Sequence, residues 1–410
     1  MWVWHLCMAT QAGKVLYKQF CTMTSEKVDV TKEWFDKVID RRNTDSVKWD
    51  KYAGQDVLPM WVADMDFAVA DPIQSALVKR LEHPVYGYTP ANDQLRSAIA
   101  SHLEREYGWT IQHDWLVFLP GVVTGLSMSC RAFCEDNDRI MVNPPIYHHF
   151  YDSHEDKRQT LEKVHLHKVD GRWTYDIEQM KAACGKDLSM IMMCSPHNPT
   201  GTVFTQEELR QVGDLCADND MTIVSDEIHC DLVIDAKAKH VPTAVACPEH
   251  ADRIVTLMSA SKTWNLAGLN ISFAIISNPS MREQFVNTCQ SVVPGTTPLA
   301  LVATEAAYTL GGPWRTELLT YLWTNYKKIE AELDSIPGLT LEPLQATYLA
   351  WIDASGLGIE NVQGYLEEHG VGLSSGEQFG QPHYVRLNFA CPASVLDDAL
   401  ARIRAAVAAI

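Results

Sequence analysis

Short apolar runs alternate with helix-patterned stretches through the middle of the chain. Leu116–Leu119 reads as a strand, followed by Pro120-Gly121 and a helix through about Phe133. Arg139–Val142 predicts a short strand ahead of Pro144-Pro145, and Leu188–Cys194 an apolar one ahead of the turn-rich Ser195–Gly201. Between Thr205 and Asn219, Leu209, Val212, Leu215 and Cys216 fall on one helical face. Thr205 and Glu208 form a capping box at its start. Met221–Ser225, Ile254–Met258 and Ile271–Ser277 are further buried-strand candidates. Strands separated by helices predict an α/β fold, with a mostly parallel sheet covered on both faces.

The last third changes character. Pro313–Ile336 reads as a long helix, then Tyr348–Ile352, Val371–Leu373 and Tyr384–Asn388 as strands, then Val395–Ile410 as a closing helix. The pattern divides the chain into an expected disordered extension at 1–30, an N-terminal part of a small α+β domain at 31–75, a large domain at 76–312, and the rest of the small domain at 313–410. Within the extension, Trp2, Trp4 and Leu6 stand ahead of Lys14 and Lys18, the reverse of a signal peptide's basic-then-apolar order.

A net charge of -18 argues against nucleic acid or an anionic membrane as a main partner. No apolar run reaches membrane-spanning length. The eleven cysteines are scattered, and Cys130 and Cys134 lack the second pair that a zinc site needs. Reduced thiols in a cytoplasmic protein are the expectation. The histidines His148, His149, His154, His165 and His167 form no metal-ligand spacing, so no metal is expected.

Four chemistry-capable groups, Gly121, Asn198, Asp226 and Lys262, sit at or just past the C-terminal ends of predicted strands. That edge is where open α/β sheets bind ligands. Lysine rarely ends a buried strand; there its ammonium is desolvated, its pKa falls, and it can attack an aldehyde. A carboxylate at such an end, Asp226, needs a cation or donor, and a protonated pyridine nitrogen would serve; alone, it reads more readily as a helix cap or a surface aspartate. Asn198, bracketed by Pro196 and Pro199, offers an amide donor on a stiff backbone. Pro120–Gly125 links a strand to a helix, whose free N-terminal amides attract phosphate, and Ser259 and Ser261 could add hydroxyls; alone, many such turns carry glycine. Tyr147 could stack on a flat ring or fill a core. Arg386, alternating with apolar neighbours on a strand, needs an anion, which a substrate carboxylate or an internal acid could supply.

Together Ser195–Gly201 (SPHNPTG), Ser225–His229 (SDEIH), Ser259–Lys262 (SASK) and Tyr384–Asn388 (YVRLN) resemble the class I/II aminotransferase superfamily of pyridoxal-phosphate enzymes, fold type I. Trp61–Phe67 (WVADMDF) and Val85–Tyr88 (VYGY) resemble its MalY/PatB-type branch of cystathionine β-lyases, or C–S lyases. The resemblance runs from about Trp34 to the C-terminus. It implies a seven-stranded, mostly parallel sheet and pyridoxal 5'-phosphate as cofactor. Lys262 would bind the cofactor aldehyde and later act as base, Asp226 would pair with the pyridine nitrogen, and Asn198 would donate to O3′. Tyr147 would stack, Val122, Val123, Ser259 and Ser261 would hold the phosphate, and Arg386 would clamp the substrate carboxylate. Tyr88 would reach the phosphate across a homodimer interface, and Trp61 would line the side-chain pocket. His229 stands where many members have tyrosine, and Asn270 where many have a phosphate-binding arginine; both departures favour the lyase branch.

The first functional expectation is β-elimination of L-cystathionine or related cysteine S-conjugates to a thiol, pyruvate and ammonia. The second is transamination between an amino acid and a 2-oxo acid, which shares every step up to loss of the Cα proton. The third is regulatory binding of a transcription factor, for which the sequence marks no surface.

Overall fold

The computed structural model describes residues 30–154 and 158–410. The expectation of a disordered extension, Val30 apart, therefore lies outside the described residues.

A short first strand, β1 (Leu58–Pro59), belongs to the smaller part of the molecule. Next come β2 (Leu116–Leu119), β3 (Arg139–Val142) and β4 (Thr160–Lys163), then a hairpin of β5 (His167–Val169) and β6 (Arg172–Thr174). The large sheet is completed by β7 (Leu188–Cys194), β8 (Thr222–Asp226), β9 (Ile254–Met258) and β10 (Ser272–Ile276), in the order β2-β10-β9-β8-β7-β3-β4. All pairings are parallel except those of β10, which runs against both β2 and β9. The strands β2, β7, β8 and β9 thus end at one edge. The seven strands and the mostly parallel arrangement match the expected α/β fold. Every residue of β9 and β10 is buried, the two-sided coverage that continuous apolar runs require.

Local signals set the connections. Gly121, at φ 111, turns the chain from β2 into the helix Val122–Phe133, a backbone angle that a side chain would strain. The helix Gln206–Asp218 opens on the expected capping box: Thr205 Oγ accepts from the Glu208 amide at 3.2 Å, and Glu208 Oε2 from the Thr205 amide at 2.7 Å. The strand expected at Met221–Ser225 is shifted by one residue. Asp226 is therefore its last paired position, opposite Cys194 of β7 and Leu257 of β9.

In the smaller part, β11 (Thr340–Leu341), β12 (Leu349–Asp353), β14 (Ser374–Ser375) and β15 (Tyr384–Asn388) form an antiparallel sheet ordered β11-β12-β15-β14. The strand expected at Val371–Leu373 ends one residue early, and a separate short strand follows it. Val371–Gly372, β13, pairs in parallel with β1, whereas Ser374–Ser375 pairs with β15. The Tyr52 ring lies so close to Gly372 that a Cβ there would fall 2.2 Å from the Tyr52 hydroxyl. The chain changes partners at Leu373. The helices Gly312–Leu333 and Ala393–Ala408 pack on this part, and Phe35 joins it, its ring 5.1 Å from Phe67 and 5.4 Å from Trp314 and Tyr321.

Candidate active site

A cavity of about 220 Å³ opens where the C-terminal edge of the large sheet meets β15 and the Trp61–Ala63 segment. It is lined by Trp61, Val122, Val123, Tyr147, Asn198, Asp226, His229, Ser261, Lys262 and Arg386, so ten of the twelve residues singled out in the sequence converge. Ser259 does not line it. Its hydroxyl donates to the Ile271 carbonyl at 2.6 Å and accepts from the Ser261 amide at 3.0 Å, which pins the turn after β9 instead of facing the cavity. Tyr88 is fully exposed and lies outside the cavity.

Lys262 follows the wholly buried β9 by four residues, and its Nζ donates to the Ala63 carbonyl at 2.8 Å. Burial, reinforced by the Arg386 charge, pushes its pKa down to about 8, with Asp64 and Asp226 pulling the other way. Asp226 is buried, and Oδ1 accepts one hydrogen bond, from the Ile228 amide at 3.0 Å. Burial raises its pKa to about 7; the Ile228 amide and Lys262 counter only part of that rise. Among the described residues no cation forms an ion pair with it.

Arg386, in the centre of β15, is the mirror case. It is buried, and NH1 donates to Asn198 Oδ1 at 2.9 Å and NH2 to the Trp61 carbonyl at 3.1 Å. Its Nε has no partner, and among the described residues no carboxylate pairs with it. Burial lowers its pKa to about 10. Because a guanidinium only donates, the Asn198 oxygen must face it, leaving the amide nitrogen for another acceptor. His229 is buried and held neutral, its pKa lowered to about 3 by burial and then by Lys262 and Arg386. Burial likewise raises the Tyr147 hydroxyl.

Sequence reasoning did not foresee how the Trp61–Phe67 segment is held. Asn388 Nδ2 donates to the carbonyls of Val62 (2.6 Å) and Asp64 (2.7 Å), and Asn265 bonds the Met65 amide and the Met65 and Phe67 carbonyls, each at 3.0 Å. Asp66 is buried against Lys48 at 2.7 Å and Arg41 at 2.8 Å. Two acids so close together in an apolar stretch were the available signal. His148, Ser374 and Gln378 also line the cavity and carried no sequence signal.

Residues 65–403 match the family model for class I and II aminotransferases. The chain belongs to the class I and II aminotransferase family, as the sequence motifs indicated. Within it, the chain is 37% identical over 385 residues to the cystathionine β-lyase PatB of Bacillus subtilis, covering 91% of this chain and 99% of that protein. It is 33% identical over 391 residues to the protein MalY of Escherichia coli, covering 92% and 99%. The pyridoxal-phosphate-bound C–S lyase of Staphylococcus hominis superposes with a TM-score of 0.86 at 31% identity, over 93% of this chain and 99% of that one. The expected MalY/PatB-type branch is thereby borne out, and with it the cofactor, pyridoxal 5'-phosphate.

Proposed function

We propose that this chain catalyses β-elimination of L-cystathionine or related cysteine S-conjugates, with a thiol, pyruvate and ammonia as products. The observation that carries the reading is a pair of buried, opposite, uncompensated charges flanking Lys262. Among the described residues no cation forms an ion pair with Asp226 and no carboxylate pairs with Arg386, and an unpaired buried charge is costly. A protonated pyridine ring fits the first vacancy in charge and a substrate α-carboxylate the second. The relatives that are lyases by name supply the reaction type.

The residues present fit the cofactor. Asp226 would pair with the ring nitrogen, the Asn198 amide would donate to the ring oxygen, and Tyr147 would cover a face. Val122 and Val123, the first residues of the helix after Gly121, would offer unpaired amides to the phosphate, with Ser261 beside them. His229, held neutral, adds no second cation against Lys262. Bound there, the cofactor supplies an electron sink for the pair left on Cα.

Arg386 binds the substrate α-carboxylate through its guanidinium and so fixes Cα near Lys262. Lys262 Nζ takes the Cα proton; a pKa of about 8 leaves a useful neutral fraction near neutrality. The Cβ–S bond breaks as the electron pair moves toward Cβ, and the thiolate leaves. Addition of water to the three-carbon fragment yields pyruvate and ammonia; from L-cystathionine the thiol is homocysteine. Trp61 lines the cavity and would border the substrate side chain.

The active unit in this reading is a homodimer. Tyr88, exposed beside the exposed Val85 and Tyr86, would reach the cofactor phosphate of a second copy. The free thiols of the described cysteines fit a cytoplasmic location. The test is to mix the cofactor-loaded protein with L-cystathionine and no keto acid, and to follow pyruvate and thiol together. Equal release of both, lost in Lys262→Ala, is expected. Conversion to the pyridoxamine form without pyruvate would overturn the reading in favour of transamination.

A further inference from the structure

The Ala63 carbonyl accepts two hydrogen bonds, from Lys262 Nζ at 2.8 Å and from the Tyr348 hydroxyl at 3.1 Å. Tyr348 is 1% exposed and comes from the opposite side of the site, just before β12. The carbonyl itself cannot shift freely. Asn388 holds the carbonyls on both sides of it, Val62 and Asp64, and Asn265 bonds Met65 and Phe67 just beyond. A carbonyl oxygen has two lone pairs, so these two donors fill it.

We propose that Tyr348 is a positioning residue for the base: through the Ala63 carbonyl it fixes the free amine of Lys262 and limits how strongly that carbonyl holds the amine's proton. A neutral amine has two N–H bonds and one lone pair. With one N–H committed to Ala63, rotation about Cε–Nζ is restricted and the lone pair is confined to few directions. Each time a substrate amine takes the lysine's place, the freed Nζ therefore has a defined seat from which to reach Cα. When the lone pair takes the Cα proton, the resulting ammonium keeps the same bond to Ala63. The Tyr348 hydroxyl draws on the same oxygen. Its removal leaves a carbonyl that binds ammonium more tightly than amine, which favours the protonated lysine.

The charged and titratable groups facing Lys262 are Arg386 on β15, Asp226 on β8, His229 just after it, and Asp64 on the same segment as Ala63. Tyr348→Phe leaves all four in place. The proposal rests on the lyase reading for the role of Lys262 as base, but its first test does not. In cofactor-free protein, the rate at which acetic anhydride labels Lys262 is followed against pH by mass spectrometry of the Lys262 peptide. Tyr348→Phe should move the midpoint of that curve upward. Site-specific 3-fluorotyrosine at 348, which keeps the shape and strengthens the donor, should move it downward. In the cofactor-loaded protein, Tyr348→Phe should lower kcat about 3- to 10-fold with KM little changed, and should move the acid limb of the pH profile upward. Labelling curves identical to wild type in both variants would overturn the proposal whatever the turnover shows. Shifted labelling with no pyruvate from any variant would instead count against the lyase reading alone.

Discussion

Two aspartates five residues apart have opposite surroundings. Asp226 ends β8 and meets a single backbone amide. Asp231 is as deeply buried, yet it is bonded by His102 (2.9 Å), Tyr107 (2.7 Å) and Arg315 (2.6 Å). Burial pushes both carboxyls up. At Asp231 that push is outweighed by His102 and Arg315, and the pKa falls to about 2; at Asp226 it prevails, and the pKa rises to about 7. The lysines repeat the contrast: Lys48 is buried against Asp66, whereas Lys262 forms no ion pair among the described residues and donates to a backbone carbonyl. Charges that hold the fold are completed within the chain. Charges in the cavity are left for a ligand to complete.

The largest expected effect is on the unpaired side. Lys262→Ala removes the base and should lower pyruvate formation by about 10²- to 10⁴-fold or more, read with lactate dehydrogenase as the coupling enzyme. On the paired side, Asp231→Asn leaves Arg315 without one of its acids and should lower unfolding free energy by about 3 kcal/mol, read by urea denaturation. If Asp231→Asn instead left stability unchanged, the contrast between the two aspartates would fail.

The two carboxyls should also give opposite pH trends. The folded pKa of Asp226 is raised, so its contribution to stability is complete below about pH 4 and is lost as pH rises through about 7. That of Asp231 is lowered, so its contribution is present above about pH 4 and is lost as pH falls through about 2. Cofactor-free wild type should therefore lose a few kcal/mol between about pH 4 and 8 that cofactor-free Asp226→Asn retains, measurable by urea denaturation across that range. The smallest effect is expected at the rim of the paired cluster. Arg105 donates to His102 Nδ1 at 3.0 Å from a half-exposed position, and Arg105→Ala should cost about 0.5 kcal/mol, detectable as a slight fall in melting temperature.

Much of the site was legible because each chemistry-bearing residue sits on a local pattern. Lys262 and Asp226 follow apolar runs, Asn198 is bracketed by prolines, and Arg386 alternates with apolar neighbours; strand ends then bring them together. Six of the seven strands of the large sheet were legible for the same reason, since two-sided burial writes itself as continuous hydrophobicity; the edge strand β4, half exposed and polar at both ends, was not. What remained hidden depends on contacts between residues far apart in sequence. The clamp of Asn388 and Asn265 on the Trp61–Phe67 segment spans at least 198 residues, and no periodicity encodes it. The switch of partners at Leu373, from β1 to β15, likewise depends on strands far off in sequence. The bond from the Ser259 hydroxyl to the Ile271 carbonyl was hidden as well, because a serine three residues before a lysine carries no information about which way its hydroxyl points.

The central claim is that Asp226 is left uncompensated for a cationic ring to complete. The most direct measurement is the melting temperature of wild type and Asp226→Asn at pH 8, first stripped of cofactor and then with pyridoxal 5'-phosphate added. The account predicts that the variant is the more stable of the two when stripped, and that the cofactor stabilises wild type more than the variant. A stripped variant less stable than wild type, or equal stabilisation of both by the cofactor, would contradict it.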